Sequence, residues 1–349
     1  MSVVLYARSS SMGTNKICPH RGMIEYMLSK KPPSNALELY GELDYMRAEK
    51  AAAKGSAVHK ALEIIAKRKK NQQDGIKNFY DDELKQTYYS NKLDIKQLIE
   101  DCIAHYKNDS QLEWTNWDHI NVRNWTWKVL KSDWHPGKVN VYDVEKFFDL
   151  ELKEDWAKYR YEIGGEILEG YYRVRGTMDL IVDLGNKTLS IRDWKTGIPK
   201  EYSKEGQPVK TYTDLCNDSQ FLLYYYIGHQ LYPGYEIIVE VNHIKERGVS
   251  TLFMDEESYK KGYDNLVKYF DSIRNNYPPT LVKYKNSEPC GFCPWASLRE
   301  QDPSMNDCEF FEREAKNHSA EELIIRYGSI SAMSKYSGGG AERDLSKSD

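Results

Sequence analysis

The stretch from Gly176 to Gly197, GTMDLIVDLGNKTLSIRDWKTG, constrains the fold more than any other. Two strand-like runs flank Gly185-Asn186, a dipeptide that marks a turn. A hairpin closed there brings Asp179, on the first run, close to Asp193, near the end of the second. Strand side chains alternate, so Asp193 and Lys195 share one face. Two close carboxylates repel unless a cation lies between them. Mg²⁺ or Mn²⁺ suits such an oxygen-rich site. A metal held there activates water and stabilises charge on a phosphate. A lysine on the same face would orient the water or offset developing negative charge. Taken alone, the D-x-K triplet fits a plain salt bridge between Asp193 and Lys195 equally well.

The surroundings of this hairpin read as an α/β core with helical additions. Residues 1–70 form an N-terminal helical segment that carries Cys18 and His59. Within it, 41–70 reads as an amphipathic helix with Val58, Ala61, Leu62 and Ile65 on its apolar face. Residues 71–138 read as a helical insert rich in Trp, Tyr and Asn. From 139 to 285 the pattern becomes that of a core. VNVYDVEKFFDLEL, GYYRVRGTMDLIVDL and KTLSIRDWK read as consecutive strands. DSQFLLYYYIGHQL reads as a helix capped by Asp218 or Ser219. YEIIVEVNHI is a further strand, and DEESYKKGYDNLVKYFDSIRNN a helix ending before Pro278-Pro279. A cysteine-bearing segment occupies 286–315. The tail from 316 is expected to be partly disordered, its SGGGAERDLSKSD end above all.

A length of 349 residues allows one large domain or two ordinary ones. No apolar run is long enough for a membrane span, and the first residues lack the layout of a secretory signal. The expectation is an intracellular, cytoplasmic protein with no membrane partner. The net charge of −4 conceals an asymmetry: residues 1–70 carry 13 Lys/Arg against 6 Asp/Glu. A basic region beside an acidic site is compatible with a nucleic-acid enzyme. Lys67-Arg68-Lys69-Lys70, taken alone, is equally a solvated helix end. No G-x-x-x-x-G-K-[ST] occurs, so an ATP-driven helicase would be a separate partner.

Further residues fall into an order around the hairpin. Gly55 and His59 lie on the long helix, with Glu63 one turn beyond. Glu145 lies on the strand before Asp179, with Glu162, Glu166 and Glu169 as neighbouring acids. Gln220 and Tyr224 share a helical face after the lysine. The series G-x-x-x-H, E, G-x-x-D, D-x-K-T-G and Q-x-x-x-Y, over roughly residues 5–310, resembles the RecB-like nucleases of the PD-(D/E)XK superfamily. The resemblance implies a mixed central β-sheet flanked by helices and a Mg²⁺- or Mn²⁺-dependent DNA nuclease. It implies that Asp179, Asp193 and the Trp194 carbonyl bind metal, that His59 completes the shell, and that Lys195 assists the water. Glu145 would join the catalytic acids. Gln220 and Tyr224 would contact DNA or support the lysine.

The six cysteines add a second signal. Cys290-Gly-Phe-Cys293-Pro is a tight C-x-x-C, Cys308 follows after fourteen residues, and Cys18 lies far upstream. Such spacing fits zinc or an iron–sulfur cluster, or a pair of core cysteines. The layout resembles the iron–sulfur branch of the RecB-like nucleases seen in AddB and the CRISPR-associated RecB-like exonucleases. There one cysteine before the nuclease core and three after it hold a [4Fe–4S] cluster. The matching residues are Cys18, Cys290, Cys293 and Cys308, packing the C-terminal segment against the N-terminus. The gap before Cys308 exceeds the family's usual spacing, which keeps zinc as an alternative. Cys102 and Cys216 read as buried apolar residues.

The resemblance thus implies an exonuclease acting on single-stranded or duplex DNA ends in recombination, repair or replication, in a prokaryotic or phage-like setting. A separate helicase or recombination protein, or a homo-oligomer, would fit as partner. Competing readings are a non-catalytic DNA-binding or assembly subunit that keeps the nuclease fold, and a purely structural iron–sulfur protein. Trp114, Trp117, Trp125, Trp127 and Trp134 supply either stacking platforms for unpaired bases or a small aromatic core.

Overall fold

In the computed structural model the turn at Gly185-Asn186 is closed, with φ of 83° at Gly185, 50° at Asn186 and 60° at Lys187. Residues 6–22, 24–25, 31–163, 166–198, 209–246, 248–275, 290 and 293–317 are described. The elements run β1 (Tyr6–Ala7), α1 (Ser9–Ile17), α2 (Pro19–Gly22), α3 (Ala36–Tyr40) and α4 (Asp44–Gln73). Then come β2 (Asn78–Asp81), β3 (Gln86–Tyr89), α5 (Ile95–Ser110), α6 (Asn116–Leu130), β4 (Val141–Glu151), β5 (Lys158–Ile163), β6 (Glu166–Tyr171), β7 (Arg173–Gly185) and β8 (Thr188–Lys195). The described chain continues through α7 (Tyr212–Cys216), α8 (Ser219–Leu231), β9 (Glu236–His243), β10 (Gly248–Leu252), α9 (Glu256–Asn275), α10 (Pro294–Gln301) and α11 (Asp307–Asn317). Among the described residues no helix is long and apolar enough to cross a membrane.

The chain divides into two units. The unit formed by Ala48–Phe147 and Thr177–Lys260 holds a mixed sheet with strand order β4-β7-β8-β9-β10. β7 and β8 are antiparallel, with Ile181 opposite Ile191. β8 and β9 are parallel, with Asp193 opposite Val241, and β10 returns antiparallel on β9. A mixed central sheet flanked by helices, as expected, is the architecture of this unit. α8 begins where Asp218 accepts the Gln220 N–H and lies on the face that carries Ile191. It does so at Gly228, where a Cβ would come within 2.8 Å of Ile191 Cδ1 and 3.0 Å of Ile237 Cγ2. On the other face, α4 packs its Val58, Leu62 and Ile65 with Leu180, Val182 and Trp194 of the sheet.

Two readings of this region need correction. α4 is a helix, as read, but not an amphipathic one with a polar face along its length. Its middle is buried on every side, and Lys60 and Glu63 are only 5% and 8% exposed. The reason is a second layer: Leu98, Ile99, Cys102 and Ile103 of α5 and Val122, Val129 and Leu130 of α6 join the same core. The segment 71–138 is also not wholly helical. It opens with the hairpin β2–β3, in which Phe79 pairs with Tyr88 and their rings lie 5.7 Å apart. Strands this short and exposed leave little periodic signal. The Lys67–Lys70 run is largely satisfied within the fold. Lys67 pairs with Glu63 at 2.5 Å, Arg68 donates to the Ser90 carbonyl, and Lys70 pairs with Asp74. Of the five tryptophans, Trp114 and Trp134 are core residues and Trp125 and Trp127 pack against that core. Trp117 is 72% exposed.

In the other unit, β1 pairs in parallel with the start of β7, Tyr6 opposite Arg173. The hairpin β5–β6 follows β4, so the strands of 139–195 are not simply consecutive. Tyr172 stacks on Phe270 of α9 at 4.0 Å, and the Tyr269 hydroxyl donates to Ser11 of α1. The expected disordered tail lies outside the described residues.

Candidate active site

The last residues of β8 and the middle of β7 form the centre of the site. Asp193 is 1% exposed. Lys195 donates to its Oδ1 at 3.1 Å and stands 2.9 Å from its Oδ2 as an ion pair. Asp179 Oδ2 accepts the Trp194 N–H at 3.0 Å. This bond ties β7 to the end of β8 through a side chain. Burial raises the Asp193 pKa to about 6; Lys195 opposes this and Asp179 adds to it. Burial also works against the charge of Lys195, but Asp193 and Asp179 outweigh it and raise its pKa. The alternation that puts Asp193 and Lys195 on one face sends Arg192 to the other. There its Nε meets Glu240 at 2.9 Å and its guanidinium lies 4.9 Å over the Trp134 ring.

α8 supports this centre from its first turns. Gln220 Nε2 donates to Asp193 Oδ1 at 3.2 Å and to the Tyr224 hydroxyl at 2.8 Å. Tyr224 donates in turn to the Thr177 carbonyl of β7 at 2.8 Å. Burial, with Asp193 and Asp179 adding to it, raises the Tyr224 pKa well above its usual value. The phenol is therefore neutral and stays a donor. Gln220 and Tyr224 form a strut from the β7 backbone to the Asp193 carboxylate.

α4 approaches from another side. A Cβ on Gly55 would come 2.7 Å from Thr196 Oγ1, so glycine there is what lets the helix reach the turn after Lys195. One turn on, His59 Nδ1 lies 3.3 Å from Asp179 Oδ2, and its ring meets that of Trp194 edge-on at 6.2 Å. Gly176, the other motif glycine, makes room for Phe148, whose ring would lie 2.5 Å from an added Cβ.

Glu145 belongs to the same group. It sits mid-strand in β4 with φ of 48°, a conformation that costs a non-glycine residue about 1 kcal/mol or more and clusters at functional sites. Burial raises its pKa to about 8, and Asp179 and Glu63 add to the effect. Of the competing acids, Glu169 is exposed on β6; the side chains of Glu162 and Glu166 lie outside the described residues. A carboxyl that holds its proton in the fold but ionises freely when unfolded lowers stability as pH rises between its two pKa values. For Glu145 that window runs from 4.5 to about 8. Between those values the metal-free wild type is expected to lose melting temperature faster than Glu145→Gln. Parallel melting curves against pH would show that Glu145 does not feel these charges.

Glu63 is the residue the motif order passed over. It lies four positions after His59, so the H-x-x-x-E spacing was its only signal. Its carboxylate is held by Lys60 at 3.1 Å and Lys67 at 2.5 Å and bears on Glu145. The chemistry of this donor set fits a divalent cation. Glu145 and Asp193 each feel the charge of Asp179, a repulsion that a cation among these carboxylates would relieve. Among the described residues no three His, Cys, Asp or Glu side chains form a ready-made metal cage. The Lys195 ammonium instead takes both Asp193 oxygens.

Cys18, Cys290, Cys293 and Cys308 belong to the other unit. Cys293 N–H donates to the Cys290 carbonyl at 3.1 Å, and Arg21 N–H donates to Cys18 Sγ at 3.4 Å. A hydrogen bond with Cys308 lowers the Cys293 pKa to about 7, while the Cys308 thiol is driven up by the same bond, by burial and by the charge of Cys18. Cys293 and Cys308 share a small core with Ile24, Trp295 and Phe311, and Cys290 packs against it. Thiols so assembled suit a thiophilic metal. Cys102 is fully buried, as expected; Cys216 is half-buried.

No curated protein matches the chain. A family model does: that of the PD-(D/E)XK nuclease superfamily, over residues 18–298. Those bounds include every acid, the lysine and the glutamine–tyrosine strut described above. By that match and by its mixed sheet, the chain belongs to the PD-(D/E)XK nuclease superfamily.

Proposed function

We propose that the protein is a Mg²⁺- or Mn²⁺-dependent DNA exonuclease that serves recombination, repair or replication. The observation that carries this reading is Asp193: a carboxylate buried to 1% exposure, facing Asp179, with a lysine and a glutamine fixed upon it. A purely structural ion pair does not call for a second carboxylate, a histidine and a strained glutamate around it. Asp179, Asp193, the Trp194 carbonyl and His59 would hold the metal, with Glu145 beside them. The bound ion would supply an activated water and charge stabilisation at the phosphate.

The remaining work falls to side chains. Gln220 holds the Asp193 carboxylate in one orientation, and Tyr224 anchors that amide to β7. Lys195, on the same face as Asp193, would orient the attacking water and meet negative charge on the phosphate. The buried floor of the site lowers the local dielectric and strengthens these interactions.

Cys18, Cys290, Cys293 and Cys308 would hold a [4Fe–4S] cluster, with zinc the alternative, in a structural role. Closing a loop between residues so far apart in sequence constrains the unfolded chain. Anaerobically purified protein is expected to show visible charge-transfer absorbance and iron that Cys293→Ser loses. Colourless protein containing zinc would replace the cluster with a zinc site.

Digestion of end-labelled single-stranded and duplex DNA with Mg²⁺, Mn²⁺ or EDTA tests the catalytic reading. Metal-dependent loss of nucleotides from an end supports it. Internal cuts would make the enzyme an endonuclease, and no cleavage by a folded, metal-loaded protein would leave a DNA-binding or assembly subunit.

A further inference from the structure

Four lysines and an exposed indole lie beside the catalytic turn. Lys54 precedes Gly55, the residue in closest approach to Thr196. Lys245 follows Ile244, whose N–H donates to the Lys195 carbonyl at 2.9 Å. Both lysines are thus held next to Lys195-Thr196 by backbone placement. Lys128 Nζ donates to the Lys245 carbonyl at 2.9 Å, and Lys245 Nζ lies 4.3 Å over the Trp125 ring. Lys54 and Lys50 flank Asp118 at 2.5 Å and 3.6 Å. Asp118 is itself fixed in the capping box of α6 by Thr115. One residue before it stands Trp117, 72% exposed.

This grouping is unbalanced in charge. Asp118 is shared by two lysines, and Lys128 and Lys245 lean on a carbonyl and a ring rather than on a carboxylate. Burial lowers the Lys245 pKa, the charge of Lys54 lowers it further and Glu246 opposes both; four lysines here stand against Asp118 and Glu246. An anion with regularly spaced charges is the ligand that such a face accepts.

We infer that Lys50, Lys54, Lys128 and Lys245 form a phosphate track along which a single nucleic-acid strand runs to the catalytic turn, with one unpaired base stacked on Trp117. The inference rests on the nuclease reading above and deepens it. A single strand is indicated by Trp117, because a duplex keeps its base faces covered while a free strand offers them to an aromatic platform. The track differs from the Lys67–Lys70 run, in which Lys67 and Lys70 pair with Glu63 and Asp74 of their own helix end.

The test is fluorescence anisotropy with labelled oligothymidylate and the matching duplex, with Ca²⁺ in place of Mg²⁺, over a range of salt. Lys128→Gln/Lys245→Gln leaves the Asp118 pairs intact. It is expected to weaken single-strand binding about tenfold or more and to lower the slope of log affinity against log salt by about 1.4, for two lost phosphate contacts. Trp117→Ala, at an exposed site, is expected to weaken binding about tenfold without changing that slope. Lys128→Arg/Lys245→Arg is expected to bind like wild type. Variants that bind with wild-type affinity and slope, while the wild type cleaves, would overturn the track and leave the nuclease reading standing. Arginine variants as weak as the glutamine ones, or duplex preferred with Trp117→Ala unaffected, would also overturn it. A wild type that neither binds nor cleaves would remove both.

Discussion

Asp193→Asn is expected to reduce metal-dependent DNA cleavage by at least about 10²–10³-fold, the range seen when one preorganised electrostatic group is removed from a catalytic site. The substitution keeps the shape of the side chain, and its amide oxygen still accepts from Gln220. What it removes is the negative charge that would hold a cation opposite Asp179 and that pairs with Lys195. The expectation for stability differs. Asp193 has a folded-state pKa of about 6, raised chiefly by burial, so its ionised form disfavours the fold wherever pH exceeds its unfolded value. In EDTA at about pH 8, Asp193→Asn removes that buried charge but also strips Lys195 of its partner, so the two effects oppose and the variant is expected to stay folded with a melting temperature close to that of wild type. A variant that loses activity because it unfolds would contradict this account, and one that keeps wild-type cleavage would sink the catalytic assignment. The two measurements, end-labelled cleavage and thermal melting, separate those outcomes.

Lys60→Met is expected to destabilise the protein by about 3–5 kcal/mol, the usual result of stripping one partner from a buried ion group. Lys60 Nζ lies 3.1 Å from Glu63, 2.9 Å from Asp81 and 2.9 Å from Glu83. Burial disfavours its charge, but those carboxylates outweigh the penalty and raise its pKa. Methionine fills the same space and strands Glu63 and Asp81, their side chains 11% and 3% exposed, with Lys67 as their remaining cation, while Glu83, 41% exposed, keeps water and the Tyr106 hydroxyl. For a protein of this size the loss corresponds to a drop in melting temperature of about 4–7 °C. The deficit is expected to shrink at low pH, because the stranded carboxylates then take up protons. Equal melting temperatures for variant and wild type across pH would mean that the network contributes no net stability. Because Glu63 bears on Glu145, the same variant is expected to shift the pH at which Glu145→Gln and the unsubstituted enzyme diverge.

Much of the site was legible in local pattern. The β7–β8 hairpin declares itself through a period of two and a Gly-Asn turn, and both depend on neighbours within a few residues. Asp218 capping α8, and the i, i+4 pairing of Gln220 with Tyr224, are equally local. Glu145 was readable only as an acid on the right strand. Its membership depends on a backbone twist in β4 and on the fields of Asp179 and Glu63, which come from other parts of the chain. The role of the glutamine–tyrosine pair was likewise open between DNA contact and support. Its hydrogen bonds run to Asp193 and the Thr177 carbonyl, and these depend on how α8 settles on the sheet.

The burial of α4 shows the limit most plainly. Helical periodicity reports one apolar stripe, and the sequence of α4 has one in Val58, Ala61, Leu62 and Ile65. It does not report that α5 and α6 close over the opposite side, because that layer begins some thirty residues later. Lys60 and Glu63 therefore look like solvent-facing charges until their partners arrive from β2–β3. The same holds for the cysteines, where spacing proposes a metal but only folding brings Cys18 towards Cys308. The sequence by itself determined the strand pair, the helix caps and the order of the reactive residues, since these follow from short-range sterics and hydrogen bonding. The tertiary structure alone decided which charges are buried, which are paired and which lysines stand beside the turn after Lys195, since burial and Coulomb energy depend on groups remote in sequence.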